Sequence, residues 1–85
     1  MNWKTEETGI TVTDDAGTKV AEVLFPKIGE AEYTITHTWV DASLRGQGMA
    51  GRLVEAAVDQ IRKNGGTPRA SCSYAVRWFA EHLEK

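Results

Sequence analysis

At 85 residues the chain is long enough for one small domain and too short for two. Its 41% hydrophobic and 26% charged content excludes the disordered and membrane-spanning classes, and ten Lys and Arg against twelve Asp and Glu, a formal charge of -2, exclude a general attraction to nucleic-acid backbones. The lone Cys72 excludes an internal disulfide and a thiolate metal cluster, so no metal is expected. No apolar run approaches the roughly 18 residues of a membrane span, and the first residues lead into no signal-peptide core. A cytoplasmic location with no membrane or nucleic-acid partner is the expectation.

The hydrophobic period changes once along the chain, from two to about 3.6, and the change falls at a glycine-rich run. Ile10 and Val12 alternate with Thr11 and Thr13, and Asp14 to Gly17 supply the turn of a hairpin. A second strand spans Lys19 to Phe25, closed by Pro26 to Gly29. Glu30 to Val40 is the longest alternating stretch and predicts a central strand, with Tyr33, Ile35, His37 and Trp39 on one face and Glu32, Thr34, Thr36 and Thr38 on the other. Leu53, Val54, Ala57, Val58 and Ile61 then recur at helical spacing, and Asn64-Gly65-Gly66 marks the helix end. A short strand over Arg69 to Ser71 and a second helix over Ser73 to Leu83 follow, its apolar face predicted as Val76, Phe79, Ala80 and Leu83. The predicted order is β-β-β-α-β-α. It is an α/β fold of the α+β type over residues 1–85, with a mixed, mostly antiparallel sheet whose last strand lies parallel to the third.

Between strand and helix stands Arg45-Gly46-Gln47-Gly48-Met49-Ala50-Gly51. Glycines can turn backbone N–H groups inward, and a helix start adds orphan donors and the positive end of its dipole, so this loop is suited to phosphate. A nucleotide P-loop is excluded, because Gly51 is followed by Arg52 and Leu53 rather than Lys and a hydroxyl residue. Gly46, Gly48 and Gly51 satisfy the dinucleotide pattern G-x-G-x-x-G literally, but Arg69 and Ala70 stand where its acidic ribose partner belongs.

The run resembles the acyl-coenzyme A loop of the GNAT superfamily of N-acetyltransferases: Gln or Arg, two residues, Gly, one residue, Gly or Ala, here Arg45 to Ala50 after the strand exit Val40 to Leu44. With Cys72-Ser73-Tyr74 and the small size, it is similar to the compact YjdJ-type branch of that superfamily. The resemblance implies a GNAT-like fold and acetyl-CoA as cosubstrate. It implies that the amides of Arg45, Gly46, Gln47, Gly48, Met49, Ala50 and Gly51 hold the pyrophosphate, and that the pantetheine arm runs beside the strand ending at Trp39 and Val40. Arg45 occupies the signature position and is favoured over Arg52 as a phosphate partner.

Three titratable residues are catalytic candidates. Cys72 precedes a helix, where amides and dipole favour thiolate, and by resemblance is the position of a proposed active-site cysteine; as an ordinary residue it is a small buried hydrophobe. Tyr74, at the start of the last helix, is by resemblance the group that protonates the departing coenzyme A thiolate, and otherwise a packing aromatic. His37 is either a base or a satisfied core residue among Tyr33, Ile35 and Trp39. Trp3, Trp39, Trp78 and Phe79 read as core or groove walls. The implied reaction is acetyl transfer to an amine, small molecule or protein, either by direct attack or through acetylated Cys72. A non-catalytic acyl-CoA-binding module and a pure interaction domain are the alternatives, and a monomer or weak dimer is expected.

Overall fold

The computed structural model describes residues 1–83. Its strands are β1 (Asn2–Glu6), β2 (Gly9–Thr13), β3 (Lys19–Leu24), β4 (Glu32–Ile35), β5 (His37–Val40) and β6 (Thr67–Ala70), with helices α1 (Met49–Lys63) and α2 (Ser73–His82). β1, β2, β3 and β5 form an antiparallel sheet in that order, and β4 pairs in parallel with β6. The mixed, mostly antiparallel sheet with helices after it is the expected fold class.

Two details of the strands differ from the sequence reading. β1 is an added edge strand whose residues are exposed except for half-buried Trp3, so its polar string carries no alternation to detect. The long predicted strand is divided at Thr36. Thr36 N–H still donates to Leu24 O, but the segment before it pairs with β6 and the segment after it with β3. The phase of the alternation slips there. Tyr33 and Ile35 are buried, whereas in β5 it is Thr38 and Val40 that pair with buried Val23 and Ala21. A one-residue slip sends each following side chain to the other face. His37 and Trp39 therefore lie on the outer face, opposite Leu24 and Glu22, and not on the core face predicted for them.

The core sits between the sheet and the two helices. Phe25, Ile10, Ile35, Leu53 and Ile61 are fully buried, and each such side chain contributes about 1.5–3 kcal/mol of transfer free energy. α1 buries the face its sequence marks: Leu53, Val54, Ala57, Val58 and Ile61. It ends in a Schellman motif, in which Gly66 N–H donates to Ile61 O and Gly65 N–H to Arg62 O, with Gly65 at φ 80°. The apolar face predicted for α2 is not the buried one. Ala75 and Trp78 face the core, and Val76, Ala80 and Leu83 are exposed. Trp78 outcompetes Val76 because it closes over Gly51 on α1, its Nε1 lying 3.7 Å from where a Cβ would stand.

Candidate functional site

The split at Thr36 opens a fork between β5 and β6, and the site is built around it. Asp41 N–H donates to Val20 O at 2.8 Å, so residues 41, 39 and 37 engage β3 and the main-chain groups of Thr38 and Val40 face the open side of the fork. Across it, Ile35 O accepts from both Ser71 N–H and Cys72 N–H, which fixes the start of α2 beside the strand break.

At the end of β5, Asp41 caps a one-turn 3-10 helix, Ala42–Leu44. Its carboxylate accepts from the Ser43 hydroxyl at 2.6 Å and from Ser43 N–H at 3.0 Å. The hydroxyl bond, then the N–H bond, then the nearby Arg45 charge hold the Asp41 carboxyl below the usual carboxylate range. Arg45 folds back across this corner, its Nε donating to Val40 O at 3.4 Å.

α1 then begins without a side-chain cap. Its N-cap is Gly48 in the left-handed region, φ 75°, and Gly46 sits at φ 84°. No N–H from Gly46 to Gly51 reaches an acceptor in hydrogen-bonding geometry among the described residues. Open N–H donors at the positive end of a 15-residue helix make an anion cradle, with a diphosphate as the fitting ligand class. A cleft of about 220 Å³ adjoins it, walled by Val40, Leu44, Met49 and Tyr74 with Arg45 at its rim.

Cys72 is the N-cap of α2. Its half-buried Sγ accepts from Ala75 N–H at 3.4 Å and lies 3.5 Å from Thr38 Oγ1. Thr38 is two residues before Val40, so the thiol sits about 7 Å further into the fork than the cleft wall at Val40. Tyr74 reaches toward α1, its hydroxyl 3.3 Å from where a Cβ on Gly51 would stand. Gly51 thus serves helix contact as well as the open helix start.

The structure gathers most, but not all, of the candidates. Val40, Arg45, Gly46, Gly48, Met49, Ala50 and Tyr74 line one cleft, with Cys72 adjoining it through Thr38. Gln47 points to solvent. His37 is separated from the thiol by the sheet: its side chain is 49% exposed and its Nε2 is 3.8 Å from Glu22 Oε1 on the outer face, so it is neither the core residue the sequence allowed nor a base lining the cleft. Trp39 is on that same outer face and leaves the cleft to Val40. Arg52 lies over the Trp3 ring, 5.3 Å from its centroid, on a different side of α1. Leu44 and Thr38 are additions. Leu44 lay in the strand-exit run, while Thr38 was hidden because the strand slip at Thr36 has no mark in the residue types. Among the described residues no group of three or more His, Cys, Asp or Glu could hold a metal, and no described helix is long and apolar enough to cross a membrane.

A family model described as GCN5-related N-acetyl-transferase matches residues 9–85. The chain belongs to this family. Among solved structures it is similar to a GCN5-like protein from Staphylococcus aureus, at 30% identity and TM-score 0.76 over 98% of this chain and 81% of that one. It is also similar to the GNAT family N-acetyltransferase YhbS from Escherichia coli in complex with CoA, at 26% identity and TM-score 0.70, covering 87% of this chain and 47% of the other. N-acetylglutamate synthase from Neisseria gonorrhoeae, complexed with coenzyme A and N-acetyl-glutamate, shares the fold at 22% identity and TM-score 0.71, over 87% of this chain and 18% of that chain. The chain spans less than half the length of these last two proteins. A search of curated protein sequences gave no significant match.

Proposed function

We propose that the chain binds acetyl-CoA in the cleft at the start of α1 and transfers its acetyl group to an amine. The observation that carries this reading is the uncapped helix start, whose N–H groups from Gly46 to Gly51 are free for a ligand while a cleft adjoins them. Acetyl-CoA would supply an activated acetyl thioester there. The amides of Gly46, Gln47, Gly48, Met49, Ala50 and Gly51 would hold its diphosphate with Arg45 at the rim, and Val40 and Leu44 would wall the arm. The main-chain groups of Thr38 and the N–H of Val40, which face away from β3, offer that arm hydrogen bonds along the fork.

Deeper in the fork, Cys72 Sγ is the chain's single thiol and the group we assign to carry a transient acetyl group. The Ala75 N–H and the Thr38 hydroxyl hold the sulfur in place at the start of α2. Tyr74, 42% exposed on the cleft wall, holds the proton that a leaving thiolate requires. The acceptor is an amine, of a small molecule or a protein.

Titration calorimetry with coenzyme A is the first test: heat-silent, unstabilised protein overturns the reading. Intact mass after exposure to acetyl-CoA is the second. One acetyl on the wild type and none on Cys72→Ala is expected; equal labelling of both, or of neither, removes the covalent role of Cys72. Thiol release in the presence of varied amines separates an enzyme from a module that only binds.

A further inference from the structure

Coenzyme A carries three phosphates, and the cradle at the start of α1 accounts for the two of its diphosphate. The third is on the ribose, toward the end of the molecule opposite the thiol. Most cations of the chain are placed where they cannot meet it. Arg45 is at the cleft rim with its Nε on Val40 O, and Arg52 lies over the Trp3 ring on a different side of α1. Arg69 holds Glu32 Oε2 at 2.8 Å, and Lys19 reaches Glu22 Oε1 at 3.4 Å on the outer sheet face. Arg62 and Lys63 are in the last turn of α1, about 20 Å from its start at 1.5 Å per residue. Lys4 is on edge strand β1, three strand spacings from β5, and Lys27 is in the turn before β4.

Arg77 of α2 remains. It is exposed, and among the described residues it makes no ion pair, Glu81 one helical turn on included. Its flank is the one turned toward the cradle. Tyr74 Oη and Trp78 Nε1 stand 3.3 and 3.7 Å from where a Cβ would be on Gly51, the last glycine of the cradle run. Arg77 follows Tyr74 by three residues, so the two side chains are neighbours on the helix surface, about 60° apart around its axis.

The order of residues along α2 then matches the order of groups along the ligand. Cys72 is in the fork, Tyr74 lines the cleft beside the cradle, and Arg77 comes one turn further from the fork. The ligand runs from its thiol end through the diphosphate to the ribose phosphate. We propose that Arg77 binds the ribose 3′-phosphate and is the residue by which the chain distinguishes coenzyme A from its 3′-dephospho form. This role rests on the acetyl-CoA reading above. A guanidinium suits it, because its fork of N–H donors matches phosphate oxygens and keeps its charge at every working pH. Salt screens an exposed pair of this kind, so the discrimination is modest and largest at low ionic strength.

Calorimetric titration of the whole chain with coenzyme A and with 3′-dephospho-coenzyme A, at low ionic strength, tests this. The wild type should bind coenzyme A at least about fivefold more tightly than the dephospho form. Arg77→Ala should bring that ratio to about one by weakening coenzyme A alone, with the dephospho form held within about twofold. Arg77→Lys, which keeps the charge, should recover part of the preference, and Arg52→Ala should keep all of it. Circular dichroism of each variant checks that it is folded. A wild type indifferent to the ribose phosphate overturns the proposal, as does an Arg77→Ala variant that keeps the preference or loses affinity for both ligands alike. A wild type that binds neither ligand overturns the acetyl-CoA reading itself, and the role of Arg77 with it.

Discussion

The two helices start in opposite ways. α2 opens on a residue in extended conformation whose side chain turns back onto the helix: Cys72 Sγ takes the Ala75 N–H and its carbonyl takes Val76 N–H. α1 opens on Gly48 in the left-handed region, with no side-chain cap and its first N–H groups unpaired. A capped start gives up its donors to local stability, whereas an uncapped one keeps them for something outside the chain. In this protein the two starts flank one fork, and under the proposed function one holds an anion and the other places a thiol.

Closing the open start breaks the comparison most severely. Gly48→Asp puts a carboxylate at the mouth of the cradle, where it takes the N–H groups and repels phosphate. Coenzyme A affinity measured by calorimetry should fall about a hundredfold or more. Gly48→Ala adds no charge but forces a side chain to φ 75°, at a cost of about 1–2 kcal/mol. Its melting temperature should fall by several degrees. If Gly48→Asp binds coenzyme A as the wild type does, the open helix start is not the anion site.

Cys72 sharpens the comparison by separating cap from chemistry. Ser is the better cap and lacks the thiol; Ala has neither. Cys72→Ser should keep the wild-type melting temperature and lose acetyl labelling. Cys72→Ala should lose labelling and also about 0.5–2 kcal/mol of stability, read by urea denaturation. A Ser variant that still forms the adduct would place the acetyl group elsewhere.

These two starts were unequally legible in the residues. Arg45 to Gly51 announced itself, because its glycines stand where a periodic helix begins, and α1 followed the pattern of Leu53 to Ile61 through to its glycine stop. Cys72 could be placed before α2 from sequence, but its contact with Thr38 could not. That contact depends on the slip at Thr36, which turns the later half of an apparently regular alternation inside out and carries His37 and Trp39 to the outer face. Side-chain alternation reports faces only while pairing is unbroken, and here the strand changes partners in mid-run. α2 misled for a different reason. It has two apolar faces, and which is buried was settled by a long-range fit of Trp78 and Tyr74 against Gly51.

That fit offers a milder perturbation, at the point where the two helix starts touch. A Cβ on Gly51 would stand 3.3 Å from Tyr74 Oη, closer than ordinary contact, so Gly51→Ala should push the hydroxyl a few tenths of an ångström along the cleft wall. Tyr74→Phe removes the hydroxyl and leaves the ring. Both variants should retain coenzyme A binding within a few-fold. Tyr74→Phe should slow turnover by about 10²-fold or more if its hydroxyl supplies the proton. An unchanged rate for Tyr74→Phe returns Tyr74 to packing alone.

The smallest expected effect concerns the 3-10 turn between strand and cradle. The Ser43 hydroxyl and N–H, with the Arg45 charge, stabilise the ionised Asp41 carboxylate and lower its pKa relative to the unfolded chain. A lowered folded-state pKa means that the contribution is fully present above the unfolded carboxylate value and is lost as pH falls through the folded one. The corner should therefore hold its shape through neutral and mildly acidic solution and loosen only in strong acid. Carboxyl chemical shifts followed by NMR should show Asp41 titrating below the ordinary carboxylate range. Ser43→Ala, which removes the first and largest of the lowering contacts, should bring Asp41 back toward that range. An Asp41 that titrates within the ordinary range in the wild type would mean that the corner is set by the backbone alone.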